Sequence, residues 1–99
     1  MAFLAVESRA PQASAVSVSG DTLSVDLSDG RTIAVPLAWY PRLLHASSKE
    51  QGNWRLIAGG DGIHWPDLDE DISVEDLLAG RGSREAPSSL KNWLAARTR

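Results

Sequence analysis

Strict alternation is what most limits how this chain can fold. Apolar residues occupy every second position at Val16 and Val18, at Leu23, Val25 and Leu27, and at Ile33 and Val35, the period of strands buried on one face. Directly opposed residues of an antiparallel pair must share a face, so parity sets the loops. Placing Val18 opposite Leu23 leaves Gly20-Asp21 as a two-residue loop. Putting Leu27 opposite Arg31 brings Val25 to Ile33 and Leu23 to Val35, with Ser28-Asp29-Gly30 as a three-residue loop and Gly30 left-handed. A two-residue Asp-Gly loop would turn Ile33 and Val35 to the wrong face. The pattern therefore predicts a three-stranded meander, ended by Pro36, which cannot donate to a ladder.

Downstream the period changes. Leu37, Tyr40, Leu43 and Leu44 recur at helical spacing, predicting a short helix through Ala46 with Pro41 in its first turn. Ser47 with Glu50 forms a capping box for a further turn stopped by Gly52. Trp54, Leu56 and Ile57 suggest a fourth strand, and Gly59 to Gly62 a turn into a fifth over Ile63 to Trp65 that pairs with it. Ser73 is an N-cap with Asp76 at N3, Ile72 is placed to staple onto Leu77, and Gly80 closes that helix. Ser88 or Ser89 caps a last helix carrying Leu90, Trp93 and Leu94 on one stripe. The expected fold is α+β and two-layered: a mainly antiparallel sheet of four to five strands with short helices on one face. The expected organisation is 1–13 as an arm or edge strand, 14–80 as the α+β domain, and 81–99 as a basic linker and C-terminal helix.

At 99 residues, with 42% hydrophobic residues and four tryptophans, the chain has enough apolar surface for one modest core and no more. The absence of cysteine removes disulfides, thiol nucleophiles and thiolate metal sites together and suits a reducing compartment. Met1 to Val6 lacks the basic start and length of a secretory signal, and no apolar run reaches the roughly 20 residues of a membrane helix. A cytoplasmic protein is expected.

The net charge of −3 conceals a segregation. Leu56 to Gly80 holds seven acidic residues and no Lys or Arg, whereas Arg81 to Arg99 holds five basic residues against Glu85 alone. Ile63 to Ile72 is the densest chemistry in the chain, with His64 and Trp65 followed by Asp67, Asp69, Glu70 and Asp71. His64 with these carboxylates invites a metal reading, but His45 is the only other histidine and sits on the first predicted helix, far away in sequence. A calcium loop counted from Asp67 would need Gly and Glu where Ile72 and Leu78 stand. No metal and no cofactor is expected. Asp69 and Asp71 share a side if extended, yet no Gly-x-Ser-x-Gly elbow, His-Glu-x-x-His helix or phosphate loop accompanies them, so no catalytic residue is assigned and no enzyme is expected.

Structurally, Asp69, Glu70 and Asp71 precede a helix N-terminus, where negative charge is favourable. One or two carboxylates would satisfy that end; the surplus calls for a basic partner surface or the chain's own tail. Trp54 and Trp65 read mainly as core or rim, and Trp39 lies off the inward helical stripe, where exposure would mark a contact surface. The expected partner-binding set is Trp39, His64, Trp65, Asp67, Asp69, Glu70 and Asp71, and the expected partner another small protein or a second copy. The alternative is a dimeric nucleic-acid-associated regulator that uses Lys91, Arg97 and Arg99.

Val35-Pro36-Leu37-Ala38-Trp39-Tyr40-Pro41-Arg42-Leu43 and Gly62 to Ser73, together with Ser28-Asp29-Gly30-Arg31 and Asn53-Trp54, resemble the bacterial domain-of-unknown-function family 2442. The likeness spans about residues 14–80, with a weaker echo in Ser88, Leu90, Trp93 and Leu94. It implies a compact α+β domain without established catalytic activity, often encoded beside another small protein in a toxin–antitoxin-like arrangement. Some similar proteins carry the domain ahead of a helix-turn-helix, which implies transcriptional regulation. Here about nineteen residues follow Gly80, one helix at most, so direct DNA reading by the monomer is not expected.

Overall fold

A computed structural model of the protein describes residues 10–97. The expectation of an arm or edge strand built on Phe3, Leu4 and Val6 falls outside those residues. The meander forms as parity requires: β1 (Ala13–Ser19), β2 (Thr22–Leu27) and β3 (Thr32–Pro36) pair in the order β1-β2-β3, with Val16 opposite Val25, Val18 opposite Leu23, Leu23 opposite Val35 and Val25 opposite Ile33. At the second turn Leu27 N–H donates to the Arg31 carbonyl (2.8 Å) and Gly30 N–H to the Leu27 carbonyl (3.0 Å). Gly30 has φ +94°, a conformation that glycine adopts without a Cβ penalty.

The expected helix through Ala46 breaks into pieces. Leu37–Trp39 is a 3-10 turn and α1 covers only Pro41–Leu44. Pro41 has no N–H to continue a helix entered from Leu37, so a new one starts there. Leu37, Tyr40 and Leu43 are buried, but Leu44 is exposed, a correction to the predicted inward stripe. Then α2 (Ser48–Gly52) opens on the expected capping box, with Glu50 N–H donating to Ser47 Oγ and Ser47 N–H to Glu50 Oε1.

The second half corrects the expected single sheet. β4 (Arg55–Ile57), β5 (Gly62–Trp65) and β6 (Glu70–Ser73) form a separate three-stranded antiparallel sheet, order β4-β5-β6. The fold is α+β with two three-stranded sheets. Ser73 ends β6 and caps α3 (Val74–Ala79), accepting from Asp76 N–H at 3.0 Å, and Gly80 closes it. α4 runs Pro87–Arg97, so Ser88 and Ser89 lie inside the helix and do not cap it; Pro87 takes the first position, where its missing N–H costs nothing.

One core joins the two sheets: Val16, Leu23, Val25 and Val35 from the first, Ile63, Trp65 and Ile72 from the second, with Leu37, Tyr40, Leu43, Leu68, Val74 and Leu77 between them. Where the sheets meet, Gly60 has φ +103°, and a Cβ there would stand 2.8 Å from the Ala13 carbonyl oxygen. Glycine is what permits that approach.

Candidate functional site

The acidic run becomes a hairpin. β5 and β6 pair with Ile63 opposite Ile72, His64 opposite Asp71 and Trp65 opposite Glu70. The connecting turn is closed by Leu68 N–H donating to the Trp65 carbonyl (3.2 Å), with Asp69 at φ +51°. Asp tolerates that left-handed region better than most residues. Trp65, Leu68 and Ile72 point into the core and root the hairpin, while Asp67, Asp69 and Asp71 stand exposed.

Each carboxylate has a different environment. Asp67 accepts from the Asn53 side-chain amide (2.9 Å) and Asp71 bonds His64 Nδ1 across the strand pair. Glu70 faces inward beside the rim of the core. Burial pushes its carboxyl up to about 7; the Arg42 charge pulls it down, and Glu85, Asp71 and Asp69 push it further up. Burial of the carboxyl outweighs the nearby guanidinium, and the neighbouring carboxylates add to it. Glu70 lines a groove of about 200 Å³ with Tyr40, Asp71, Asp76, Ser83 and Arg84 among its walls. There the Tyr40 hydroxyl donates to the Arg81 carbonyl (3.1 Å) and is pushed up to about 12 by burial and then by the Asp76 and Glu70 charges.

Two sequence expectations change here. Trp65 has no exposed surface and its indole N–H donates to the Gln51 carbonyl (3.0 Å); it is a core anchor, not a partner contact, because a large ring on the inward side of β5 has nowhere else to go. Asp69, Glu70 and Asp71 do not serve the N-terminus of α3, since β6 carries the chain past β5 first and the helix end is served by Ser73, Glu75 and Asp76. Trp39 is 37% exposed, as its place off the stripe predicts, and its backbone lies against Gly82 beside the groove.

Arg42, which the sequence reading passed over, organises this corner. Nη1 donates to the Leu68 carbonyl at the hairpin turn (2.8 Å), Nε and Nη2 clamp the Glu85 carboxylate (2.6–3.1 Å), and the guanidinium lies 5.0 Å from the Trp93 ring centre. The pairing holds Glu85 below the ordinary glutamate range and raises Arg42. The one signal available in the sequence was that Glu85 is the sole acid in the basic tail.

That tail answers other acids. Arg81 and Arg84 approach Asp76 (2.9 and 3.9 Å), and Arg97 clamps Glu50 (2.7 and 3.1 Å) while lying 4.6 Å from the Trp93 ring centre. Arg97 thereby holds Glu50 down to about 2. Of the alternative nucleic-acid set, Arg97 is thus engaged by its own domain, Lys91 is exposed, and Arg99 lies outside the described residues. Among the described residues no group of three His, Asp or Glu side chains is placed to hold a metal, and no helix is long and apolar enough to cross a membrane.

The family model described as "Protein of unknown function (DUF2442)" matches residues 13–83, which include both sheets and the hairpin. The chain belongs to this family. A crystal structure of a protein of unknown function from Rhodospirillum rubrum is 31% identical with a TM-score of 0.68, covering 80% of this chain and 98% of that one. A solution structure of an uncharacterized protein from Chromobacterium violaceum, 19% identical, has a TM-score of 0.63 over 87% of this chain and 75% of its own, a likeness of fold. No curated protein matches the chain.

Proposed function

We propose that this DUF2442 protein is a non-enzymatic protein-interaction module whose β5–β6 hairpin, with Trp39 beside the same groove, receives a basic segment of another small protein. The observation that carries this reading is the hairpin's geometry: Asp69 and Asp71 stand exposed and Glu70 lines the groove, while Arg42, the guanidinium beside them, is engaged with the Glu85 carboxylate and the Leu68 carbonyl. An incoming cation would relieve the unbalanced field of Asp69, Glu70 and Asp71. The exposed aspartates sit on a turn rooted by Trp65, Leu68 and Ile72, so binding need not order a loose loop. An antitoxin-like or regulatory role in a two-protein system agrees with such a surface, and a cytoplasmic setting with the lack of cysteine.

The test uses the full chain, isotope-labelled, titrated with a lysine-rich peptide. Resonance shifts should concentrate at Pro66 to Asp71 and the Trp39 indole, weaken about tenfold in high salt, and vanish in the Asp69→Asn, Glu70→Gln, Asp71→Asn triple variant. Equal binding by that variant removes the hairpin from the account. Binding to duplex DNA that is lost on neutralising Lys91, Arg97 and Arg99 would transfer the function to the tail.

A further inference from the structure

The last helix is attached differently from everything before it. Up to Ser83 the chain is tied down by hydrogen bonds to and from its own backbone as well as by the Arg81–Asp76 pair: Ser83 N–H donates to the Trp39 carbonyl (2.9 Å) and the Tyr40 hydroxyl to the Arg81 carbonyl. Residue 83 is also where the family match ends. Beyond it, apart from the packing of the Trp93 ring, the attachments are charged. Glu85 pairs with Arg42, Arg42 lies on the Trp93 ring, Arg97 lies on the same ring, and Arg97 pairs with Glu50. Trp93 is partly buried against the core, and no residue of α4 is fully buried.

α4 has eleven residues, a length at which an isolated helix in water is marginal at best. Its order therefore depends on docking, and its docking on the partly buried Trp93 ring together with charge contacts, of which the Arg97–Glu50 pair is the more open to solvent and so to salt and competing charges. We propose that α4 is a releasable latch on the α1–α2 corner: it is helical and closed while the relay Glu85, Arg42, Trp93, Arg97, Glu50 is intact, and it unfolds as it detaches when ionic competition breaks the relay. Opening uncovers Arg42 and Glu50 around the patch that Trp93 occupies, a seat shaped for a helix bearing Trp and Arg one turn apart. The latch stands on these contacts whether or not the hairpin binds a basic partner.

Amide hydrogen exchange on the full chain tests it. With the latch as described, Leu90 to Ala96 exchange about tenfold faster at about 1 M NaCl than at about 0.05 M, while β2 amides keep their rates. Arg97→Gln, and Glu50→Gln, which keeps an oxygen for the capping box, should each give at low salt the fast α4 exchange that the unaltered chain shows at high salt. α4 amides that follow β2 at both salt concentrations, or that are as protected in both variants as in the unaltered chain, overturn the proposal.

Discussion

The two sheets have the same number of strands and the same antiparallel pairing but opposite chemistry. β1–β3 carries its polar residues on the outer face and answers them locally: Asp29 with Arg31 two residues on, Asp26 with Thr32 six residues on. β4–β6 carries a carboxyl, Glu70, at the margin of the core, bonds Asp71 to His64 across its own strands, and is tied at its hairpin turn to a distant ion pair, Arg42 reaching both the Leu68 carbonyl and Glu85. Locally paired exposed charges contribute little and leave a scaffold. Charges held near a core set fields, protonation states and attachment, and those are the properties a binding surface uses.

Truncating the central anchor of either sheet should have the largest effect. Trp65→Ala is expected to cost about 4 kcal/mol and Leu23→Ala about 3 kcal/mol in urea unfolding, the first also leaving the Gln51 carbonyl without its donor. Both should shift a single cooperative transition, because the sheets share one core; two separate transitions would break that view. Arg42→Ala should cost about 2 kcal/mol, since its pair with Glu85 is largely shielded and its loss strands the Leu68 carbonyl. Arg31→Ala, at the β2–β3 turn of the other sheet, should produce no measurable change; comparable losses would erase the contrast.

The pH dependence sharpens it further. A carboxyl whose folded value is raised from near 4.5 to about 7 leaves the native state holding more protons than the unfolded one between those limits. Stability then falls as pH rises from about 4.5 to about 7 and levels above, by about 1–2 kcal/mol, and Glu70→Gln should abolish this slope. Glu50, held down to about 2 by Arg97, acts oppositely: its contribution is present above about 4.5 and is lost as pH falls toward 2. Smallest is the difference between the turns. Gly30→Ala should cost about 1 kcal/mol because of its positive φ, whereas Asp69→Gly, at a left-handed site that needs no side chain, should change stability by less than about 0.5 kcal/mol in either direction.

How much of this was legible differs between the halves for a physical reason. Val16, Val25 and Val35 belong to runs in which the large apolar residues recur at every second position, so their faces and loop lengths follow from parity alone. In Glu70-Asp71-Ile72-Ser73 one aliphatic residue stands among charges of poor strand propensity, so β6 looked like a loop ahead of a helix; it is a strand because β5 offers a paired edge and Ile72 reaches the core. Trp39 was found because its helical position set it apart from Leu37, Tyr40 and Leu43. Arg42 was missed because its partner Glu85 is 43 residues away.

Periodicity, caps and turn residues, each an interaction over a few neighbours, determined from the sequence by itself the meander and its register, the Ser47 and Ser73 caps and the ends at Gly52 and Gly80. Which strands share a sheet, which carboxyl is half-buried, and which cation answers which acid were decided only when distant segments packed. Burial and charge pairing depend on distances through space, and those distances are set by the shared core around Trp65.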